Sequence, residues 1–309
     1  MQFSEIIDEI DGSYDRLSKQ LAQSEREALR LLLVRLRKLD LDSSGNVKRT
    51  AVNIRELAKI RARLESIVLN DSYRVAIKDL VNTFTKVADL QNTFFEQTVQ
   101  DYKPKAVTKA LQKEAAKAVQ ENLRTQVIEE VRSTIGRKLQ SAITSGVSYA
   151  DLTADITNTM QGAGVEPGQI AKYARTLATD SLNTFSREHL TLISSDLGYE
   201  WFRYQGSLIE TSRPFCEAMV KKKFFHVSEL DDILAGKFSE FEDLEGTMNQ
   251  KTGLPAGLKE ETTPQNFTSL AGGWNCGHQC RPVPEDRVPL DIRTKVYASQ
   301  AYARWKSLN

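Results

Sequence analysis

The composition of the chain changes near residue 198, and this change limits the folds that are open to it. All three tryptophans, all three cysteines and six of the eight prolines follow that point. Before it, apolar residues recur at intervals of three and four with few helix breakers, a pattern typical of amphipathic helices. The sequence therefore predicts a mainly α-helical N-terminal region, as a bundle or as elongated helices. A smaller α+β module with short strands and long turns follows it.

We place the helical arm or bundle at residues 1–147, the α+β module at 148–290 and a helical tail at 291–309. A chain of 309 residues is long enough for about two domains, each with its own core. In the module, the turn-rich stretch from Gly236 to Leu270 predicts a long surface excursion. The tail carries four apolar residues on one helical face, so we expect it to dock: Val296, Tyr297, Ala301 and Trp305.

One helical segment has an unusual apolar period. Ten apolar residues recur every four positions from Val107 to Ile143. Because an α-helix has about 3.6 residues per turn, each step rotates this stripe by about 40° around the helix. A single long partner helix cannot cover such a stripe. Either the helix breaks, most simply at Gly136, or its successive parts meet different neighbours.

The same segment has a local excess of positive charge, although the whole chain is nearly neutral. The chain has 42 basic and 41 acidic residues, which excludes the overall basic field of a general nucleic-acid binder. The local excess would suit phosphate or an acidic protein surface, and the alternative is a solvated helix face. The basic residues are Lys103, Lys105, Lys109, Lys113, Lys117, Arg124, Arg132, Arg137 and Lys138.

The chain carries no sign of export or membrane insertion. No run approaches the roughly 18 apolar residues of a membrane span, and acidic residues stand where a secretory signal would be basic. We therefore expect no membrane span and a cytoplasmic protein. An odd number of cysteines, three, argues against a disulfide framework.

Five residues that can ligate zinc lie within one stretch near the C-terminus: Cys216, His226, Cys276, His278 and Cys280. A structural zinc site takes four sulfur or nitrogen donors in a tetrahedron, so four of these five would form one. His226 is sterically easier to include than His278, which lies between two of the cysteines, but the sequence does not choose. The alternatives are reduced thiols packed beside aromatic residues, or a disulfide.

Motifs that would indicate catalysis are absent from the sequence. There is no HExxH helix, no GxGxxG or phosphate-binding GxxxxGK[ST] loop, and neither half of the deaminase signature. A cysteine nucleophile paired with histidine has no orienting group at a recognisable spacing. We therefore expect no enzyme, and we interpret His189 as a histidine at the edge of the core.

Four segments occur in an order that resembles a known family. They are the helix Ile170–Thr176, the aromatic strand after Gly198, Thr211–Cys216, and the Gly-Gly-Trp-Asn-Cys-x-His stretch that starts at Gly272. Together they look like the head-morphogenesis domain of tailed bacteriophages, the Mu-F-like minor head proteins. The resemblance covers about residues 148–285. It departs from the family at Gly277, where a basic residue is common, and in the length of the excursion.

The resemblance implies a minor structural component of the virion. Such proteins associate with the portal vertex and act in head assembly, genome packaging or DNA delivery, without a catalytic cycle. Its partners would be the portal, other capsid proteins and packaged DNA, within a multi-protein assembly. It would occur in the virion, and in the host cytoplasm during assembly. The alternatives are a zinc-pinned nucleic-acid-binding module and, with less support, a metal-dependent hydrolase.

Overall fold

A computed structural model describes residues 1–163, 167–238, 244, 247–274 and 276–308. Helices make up 68% of the chain, and the long ones precede a small sheet, so the predicted fold class is confirmed. Asn275 of the Gly-Gly-Trp-Asn-Cys-x-His stretch lies outside the described residues.

The elements follow one another as long helices and then as short elements. The long helices are α1 (Ser4–Leu36), α2 (Ala51–Val68), α3 (Asp71–Thr98), α4 (Ala106–Ser145), α5 (Tyr149–Gln161) and α6 (Gln169–Leu197). The strands are β1 (Trp201–Gln205), β2 (Phe224–His226) and β3 (Gln279–Val283). The short helices are α7 (Pro214–Lys222), α8 (Leu230–Leu234), α9 (Phe267–Leu270), α10 (Leu290–Tyr297) and α11 (Gln300–Leu308).

Local chemistry explains several helix ends. The side chains of Thr50 and Ser148 accept hydrogen bonds from the backbone N–H groups of Asn53 and Asp151, which caps the N-termini of α2 and α5. At its C-terminus, α6 is followed by Gly198 at φ 63°. Glycine adopts this left-handed conformation without the steric cost that a Cβ imposes.

The chain forms two compact units. The first comprises Met1–Asp11, Phe84–Ala115 and Thr179–Asn309, and the second comprises Gly12–Thr83 and Ala116–Ala178. We call them the sheet unit and the helical unit. These ranges differ from the sequence-based boundaries at residues 147 and 290, because α1, α3, α4 and α6 each contribute residues to both units.

The helical unit has a core of apolar helix faces. On α4, every stripe position from Val119 to Ile143 is buried, and Tyr73 donates a 2.8 Å hydrogen bond to the Leu123 carbonyl. The helix does not break at Gly136. α4 continues through this residue, and the Gly136 carbonyl accepts a 2.7 Å hydrogen bond from Arg61.

The sheet unit contains an antiparallel three-stranded sheet in the order β2-β1-β3. Apolar clusters cover both faces: Phe202 and Tyr204 belong to the larger cluster, and Trp201 belongs to the smaller one. Phe267 is buried in the larger cluster, with its ring 5.6 Å from that of Phe225. The sequence predicts a surface excursion from Gly236 to Leu270. This prediction is wrong in part, because Phe267 lies in the core.

The C-terminal tail docks, as its apolar face predicts. Val296 of α10 and Ala301 of α11 are buried, and the Trp305 ring lies 5.0 Å from that of His226. The tail consists of two short helices rather than one. In the part of the chain that the structure describes, no helix combines the length and apolar character needed to span a bilayer.

Candidate metal centre

Strand alternation sorts the five predicted zinc ligands onto different faces of the sheet. Successive side chains of a strand point to opposite faces, and residues paired across strands share a face. In β1, Tyr204 pairs with Cys280 and Trp201 pairs with His226. Because Trp201 and Tyr204 are three positions apart, Cys280 and His226 lie on opposite faces and cannot ligate one ion together.

Three of the five residues form one buried cluster: Cys216, Cys276 and His278. Cys216 lies in α7, which opens with Pro214 at its first position, and Cys276 and His278 lie in the loop before β3. The two Sγ atoms are 3.9 Å apart, and Cys276 Sγ is 3.4 Å from His278 Nδ1. All three ligand atoms lie within 4.8 Å of one another.

These distances match tetrahedral zinc coordination. With Zn–S and Zn–N bonds of about 2.3 and 2.0 Å, two sulfurs stand about 3.8 Å apart, and a sulfur and a nitrogen about 3.5 Å apart. The observed 3.9 and 3.4 Å separations are close to these values. The three side chains could therefore bind zinc with little rearrangement.

A glycine makes room for the cysteine. Gly272 has a φ of 73°, and a Cβ at this position would overlap the Sγ atom of Cys276 and lie 3.0 Å from the Tyr204 hydroxyl. Only glycine combines this backbone conformation with this close approach. The Gly-Gly pair that precedes Trp274 thus shapes the loop around the thiol.

Two arginines hold the backbone of the loop. Arg213 donates to the carbonyls of Gly272 and Trp274 at 2.6 and 2.7 Å. Arg187 of α6, which is 1% exposed, donates to the carbonyl of His278 at 2.8 Å and to that of Cys276. Charged donors make strong hydrogen bonds to carbonyl oxygens, so the ligand-bearing segment is fixed from both sides.

A chain of buried polar side chains fixes the start of β3, next to His278. Gln279 accepts a hydrogen bond from Ser186 at 2.9 Å, and Gln91 donates to Ser186 at 2.7 Å. His189 Nδ1 lies 2.7 Å from Gln91 Oε1. Burial lowers the pKa of His189 to about 4, so this histidine is neutral near pH 7. It lies inside the core rather than at its edge.

The pKa values of the two thiols in the cluster are shifted in opposite directions. The pKa of Cys276 lies well below its usual range because Cys216 hydrogen-bonds to it, with His278 and Arg187 adding to the effect. The pKa of Cys216 is raised by the same hydrogen bond and by burial. Cys276 is therefore the more acidic of the two thiols, and the thiolate is the form that ligates metal.

Tyr204 covers the thiols. Its hydroxyl lies 3.7 Å from Cys216 Sγ and 3.8 Å from Cys276 Sγ, and its ring stacks on that of His278 with centroids 5.1 Å apart. Burial raises the pKa of this phenol well above its usual range, so it stays protonated and can donate to sulfur. The cluster is thus enclosed by aromatic and backbone atoms.

The structure places His226, the sterically easier of the two candidate histidines between which the sequence does not choose, in a separate aromatic cluster. Its Nδ1 lies 2.9 Å from Ser228 Oγ, and its ring is 5.1 Å from Trp201 and 5.0 Å from Trp305. Burial lowers its pKa. His226 is therefore a packing residue of the docked tail, and His278 is the histidine of the metal cluster.

Cys280 is buried but is not a member of the metal cluster. Burial raises the pKa of its thiol, so it is a protonated apolar side chain. The four-ligand prediction is thus reduced to two cysteines and one histidine.

The predicted basic face is exposed along α4 and just before it, apart from half-buried Lys138. Three of its nine members already pair with carboxylates: Lys105 with Asp196 and Lys138 with Asp155, both at 2.6 Å, and Arg124 with Glu65 at 3.8 Å. Within the described residues, the other six form no ion pair: Lys103, Lys109, Lys113, Lys117, Arg132 and Arg137.

Local sequence patterns do not indicate that Arg187 and Tyr204 belong to the site. Arg187 donates to carbonyls that are 89 and 91 positions away, so no local pattern reveals its task. Tyr204 belongs to the predicted aromatic strand. Its distance of three positions from Trp201 indicates that the two side chains lie on opposite faces of the sheet.

Comparisons with protein-family models, with curated proteins and with solved structures found no match for this chain.

Proposed function

We propose that the protein is a minor structural protein of a tailed-bacteriophage head, associated with the portal vertex. The observation that supports this most directly is the packing of two segments on which the resemblance rests. Arg213 of the first segment donates to the carbonyls of Gly272 and Trp274 in the second. Cys216 of the first lies against Cys276 of the second. Two segments about sixty positions apart thus build one site. This is expected if both belong to the module that the resemblance implies.

Zinc bound by Cys216, Cys276 and His278 is part of this proposal. The Cys216–Cys276 and Cys276–His278 separations and the lowered pKa of Cys276 favour it. The donors are 3%, 5% and 6% exposed, which suits a structural ion better than one that must admit substrate. Because a structural site takes four donors and the cluster supplies three, a further group would complete the tetrahedron. This burial also weighs against the metal-dependent hydrolase. When bound, zinc would join α7 to the loop before β3.

In this role the protein acts in head assembly, genome packaging or DNA delivery, and it has no catalytic cycle. Its partners are the portal and other capsid proteins, with packaged DNA as a further contact. It is found in the virion, and in the host cytoplasm while heads assemble. The zinc-pinned module supplies a rigid surface for docking, because its loop is fixed by arginines rather than left mobile.

The test is incorporation into phage heads. Procapsids and mature particles are purified, and the protein is quantified against the portal protein by mass spectrometry. We expect a few copies per portal in wild type, loss with Cys276→Ser, and retention with Cys280→Ser, the matched buried cysteine outside the cluster. Absence of the wild-type protein from immature and mature particles alike would contradict the proposal.

A zinc-pinned nucleic-acid-binding module is the second candidate, favoured by the six basic residues on and before α4 that form no ion pair within the described ranges. DNA binding is measured over a range of salt concentrations. Replacing Lys113 and Lys117 with Gln should weaken binding and reduce its salt dependence. Lys105→Gln and Lys138→Gln are matched controls, because these lysines already face Asp196 and Asp155. Absence of binding at low salt would remove this candidate.

A further inference from the structure

Two arginines stand side by side on the sheet, away from the metal cluster. Arg203 of β1 pairs directly with Arg281 of β3, so both side chains leave the same face of the sheet. Like charges at directly opposed positions destabilise an antiparallel pair. The sheet therefore carries an electrostatic cost at this point, and the fold itself gives no reason for it.

Neither guanidinium group has a polar partner among the residues that the structure describes. No hydrogen bond or ion pair involves either side chain, and Arg281 Nε is fully buried without an acceptor. A guanidinium carries five N–H donors, and unsatisfied buried donors are costly. Burial and the charge of Arg203 also lower the pKa of Arg281 to about 10. The pair of arginines therefore offers free N–H donors that an anion would satisfy.

Aromatic rings fix where the guanidinium groups point. The Arg281 Cζ atom lies 5.3 Å from the ring centroid of Phe3 and 5.5 Å from that of Phe94. Arg203 Cζ lies 5.8 Å from the Phe224 ring. Cation–π contacts hold an arginine in place without using its hydrogen-bond donors, which stay available to a ligand.

The two arginines line a cavity of about 560 Å³. Ser4, Ser207 and Gln205 add neutral hydrogen-bonding groups to its wall, and Phe3, Ile7 and Phe94 add apolar surface. Its charged side chains, among the described residues, are Arg203, Arg281 and Asp8, so positive side chains outnumber negative ones. This volume is in the range of small-molecule sites and exceeds what one phosphate group fills.

We propose that this cavity is a binding site for a phosphate group carried on a larger molecule. Two adjacent guanidinium forks can donate to the several oxygens of a tetrahedral phosphate, whereas a carboxylate offers two oxygens that one fork already satisfies. The apolar wall and the remaining volume take the group that bears the phosphate. The two arginines are not part of the proposed zinc site, because Arg203 and Arg281 lie on the opposite face of the sheet from Tyr204 and Cys280.

The experiment titrates the full chain with three probes by calorimetry at low, constant ionic strength: inorganic phosphate, thymidine 5′-monophosphate and acetate. Wild type should bind the phosphate-bearing probes more tightly than acetate. Binding of inorganic phosphate alone would show that the phosphate group suffices. Tighter binding of the nucleotide would show that the apolar wall contributes.

Variants test the assignment to these two arginines. Arg203→Gln and Arg281→Gln should each weaken binding about tenfold or more, since each removes a charged donor. Arg281→Lys keeps the charge but loses the fork, and should also weaken binding. Arg287→Gln, an exposed arginine elsewhere in the sheet unit, is the matched control and should bind as wild type does.

A stability measurement separates binding from misfolding. Because each Gln variant removes a repulsion between like charges, its Tm without ligand should equal or exceed that of wild type. Added phosphate should raise the Tm of wild type and of Arg287→Gln only. The proposal is overturned if acetate binds as tightly as phosphate. It is also overturned if wild type shows no saturable phosphate binding, or if Arg281→Gln binds phosphate as wild type does.

Discussion

The helical unit and the sheet unit bury different kinds of side chain. The helical unit is packed with apolar stripes such as Leu123, Val127 and Val131 of α4. The sheet unit buries Arg187, Gln279 and His278 together with its cysteines. Apolar burial is non-directional and tolerates small shifts, whereas a buried polar network is favourable only when each member has its partner. The sheet unit is therefore the part whose structure depends more on specific polar contacts, and the zinc proposed for it would add to that dependence.

Metal removal should produce the largest difference in hydrogen exchange between the two units. Structural zinc contributes on the order of 10 kcal/mol to the folding of small zinc modules. After treatment with a chelator, we expect hydrogen exchange to rise steeply in α7, β1 and β3 and to stay low in α2. Exchange that rises equally in all four elements, or in none, would contradict the assignment of the metal to the sheet unit.

A pair of buried substitutions compares the two kinds of core. Leu123→Ala in the helical unit and Arg187→Met in the sheet unit should each cost about 3 kcal/mol of unfolding free energy. The first leaves a cavity, and the second leaves the carbonyls of Cys276 and His278 without their donor. Denaturant unfolding measures the cost, and a zinc-chelator competition measures affinity for the ion. Only Arg187→Met should weaken zinc binding, and equal zinc affinity in the two variants would show that Arg187 does not position the ligands.

The helical unit also buries polar side chains, among them Asn53, Asn70 and the carboxyl of Glu25 in α1. Glu25 accepts a 2.8 Å hydrogen bond from the Ala171 N–H, and burial raises its pKa from 4.5 to about 7. Because the folded state holds the Glu25 proton more tightly than the unfolded state, the contribution of Glu25 to stability is fully present below pH 4.5 and is lost as the pH rises through 7.

The loss of stability associated with Glu25 amounts to at most about 3 kcal/mol. Glu25→Gln keeps an acceptor for the N–H group but cannot ionise, so its stability should change less across this range. Unfolding free energy measured from pH 4 to pH 8 for both proteins tests this. Parallel curves for wild type and variant would show that ionisation of Glu25 does not change the free energy of unfolding.

The smallest effect is expected at the surface of the docked tail. Arg304 donates to both oxygens of Asp232 at 3.1 and 3.3 Å, but both side chains are well exposed to solvent. Arg304→Ala should therefore change stability by less than about 1 kcal/mol, because exposed ion pairs contribute little. Hydrogen exchange of α11 should stay close to that of wild type. Release of α11 by this change would show that the ion pair, and not the aromatic packing, docks the tail.

The helices could be predicted because their information is local. The apolar stripe of α4, the Ser148 cap and the glycine after α6 each act within a few positions of the chain. The metal cluster could be predicted only in part. Sequence spacing identified cysteines and histidines as candidate ligands. It does not predict the pairing of β1 with β2 and β3, which decides the face of the sheet on which each candidate lies.

Two residues illustrate this limit. Alternation along Phe224-Phe225-His226 already separates Phe225 from His226, but only the register with Trp201 shows which of them faces the cysteines. Arg187 lies on a buried helix face whose neighbours Asn183 and Ser186 are polar, so apolar periodicity does not detect it. Its partners are backbone carbonyls, which carry no sequence signature.

Zinc content measured after purification without added metal tests the central claim most directly. Wild type and Cys280→Ser should each hold about one equivalent of zinc, and Cys276→Ser and His278→Ala should hold little. Thiol titration of the folded wild type should find Cys216 and Cys276 protected until the metal is removed. Less than about a tenth of an equivalent in wild type, or equal zinc in Cys276→Ser and Cys280→Ser, would contradict the account.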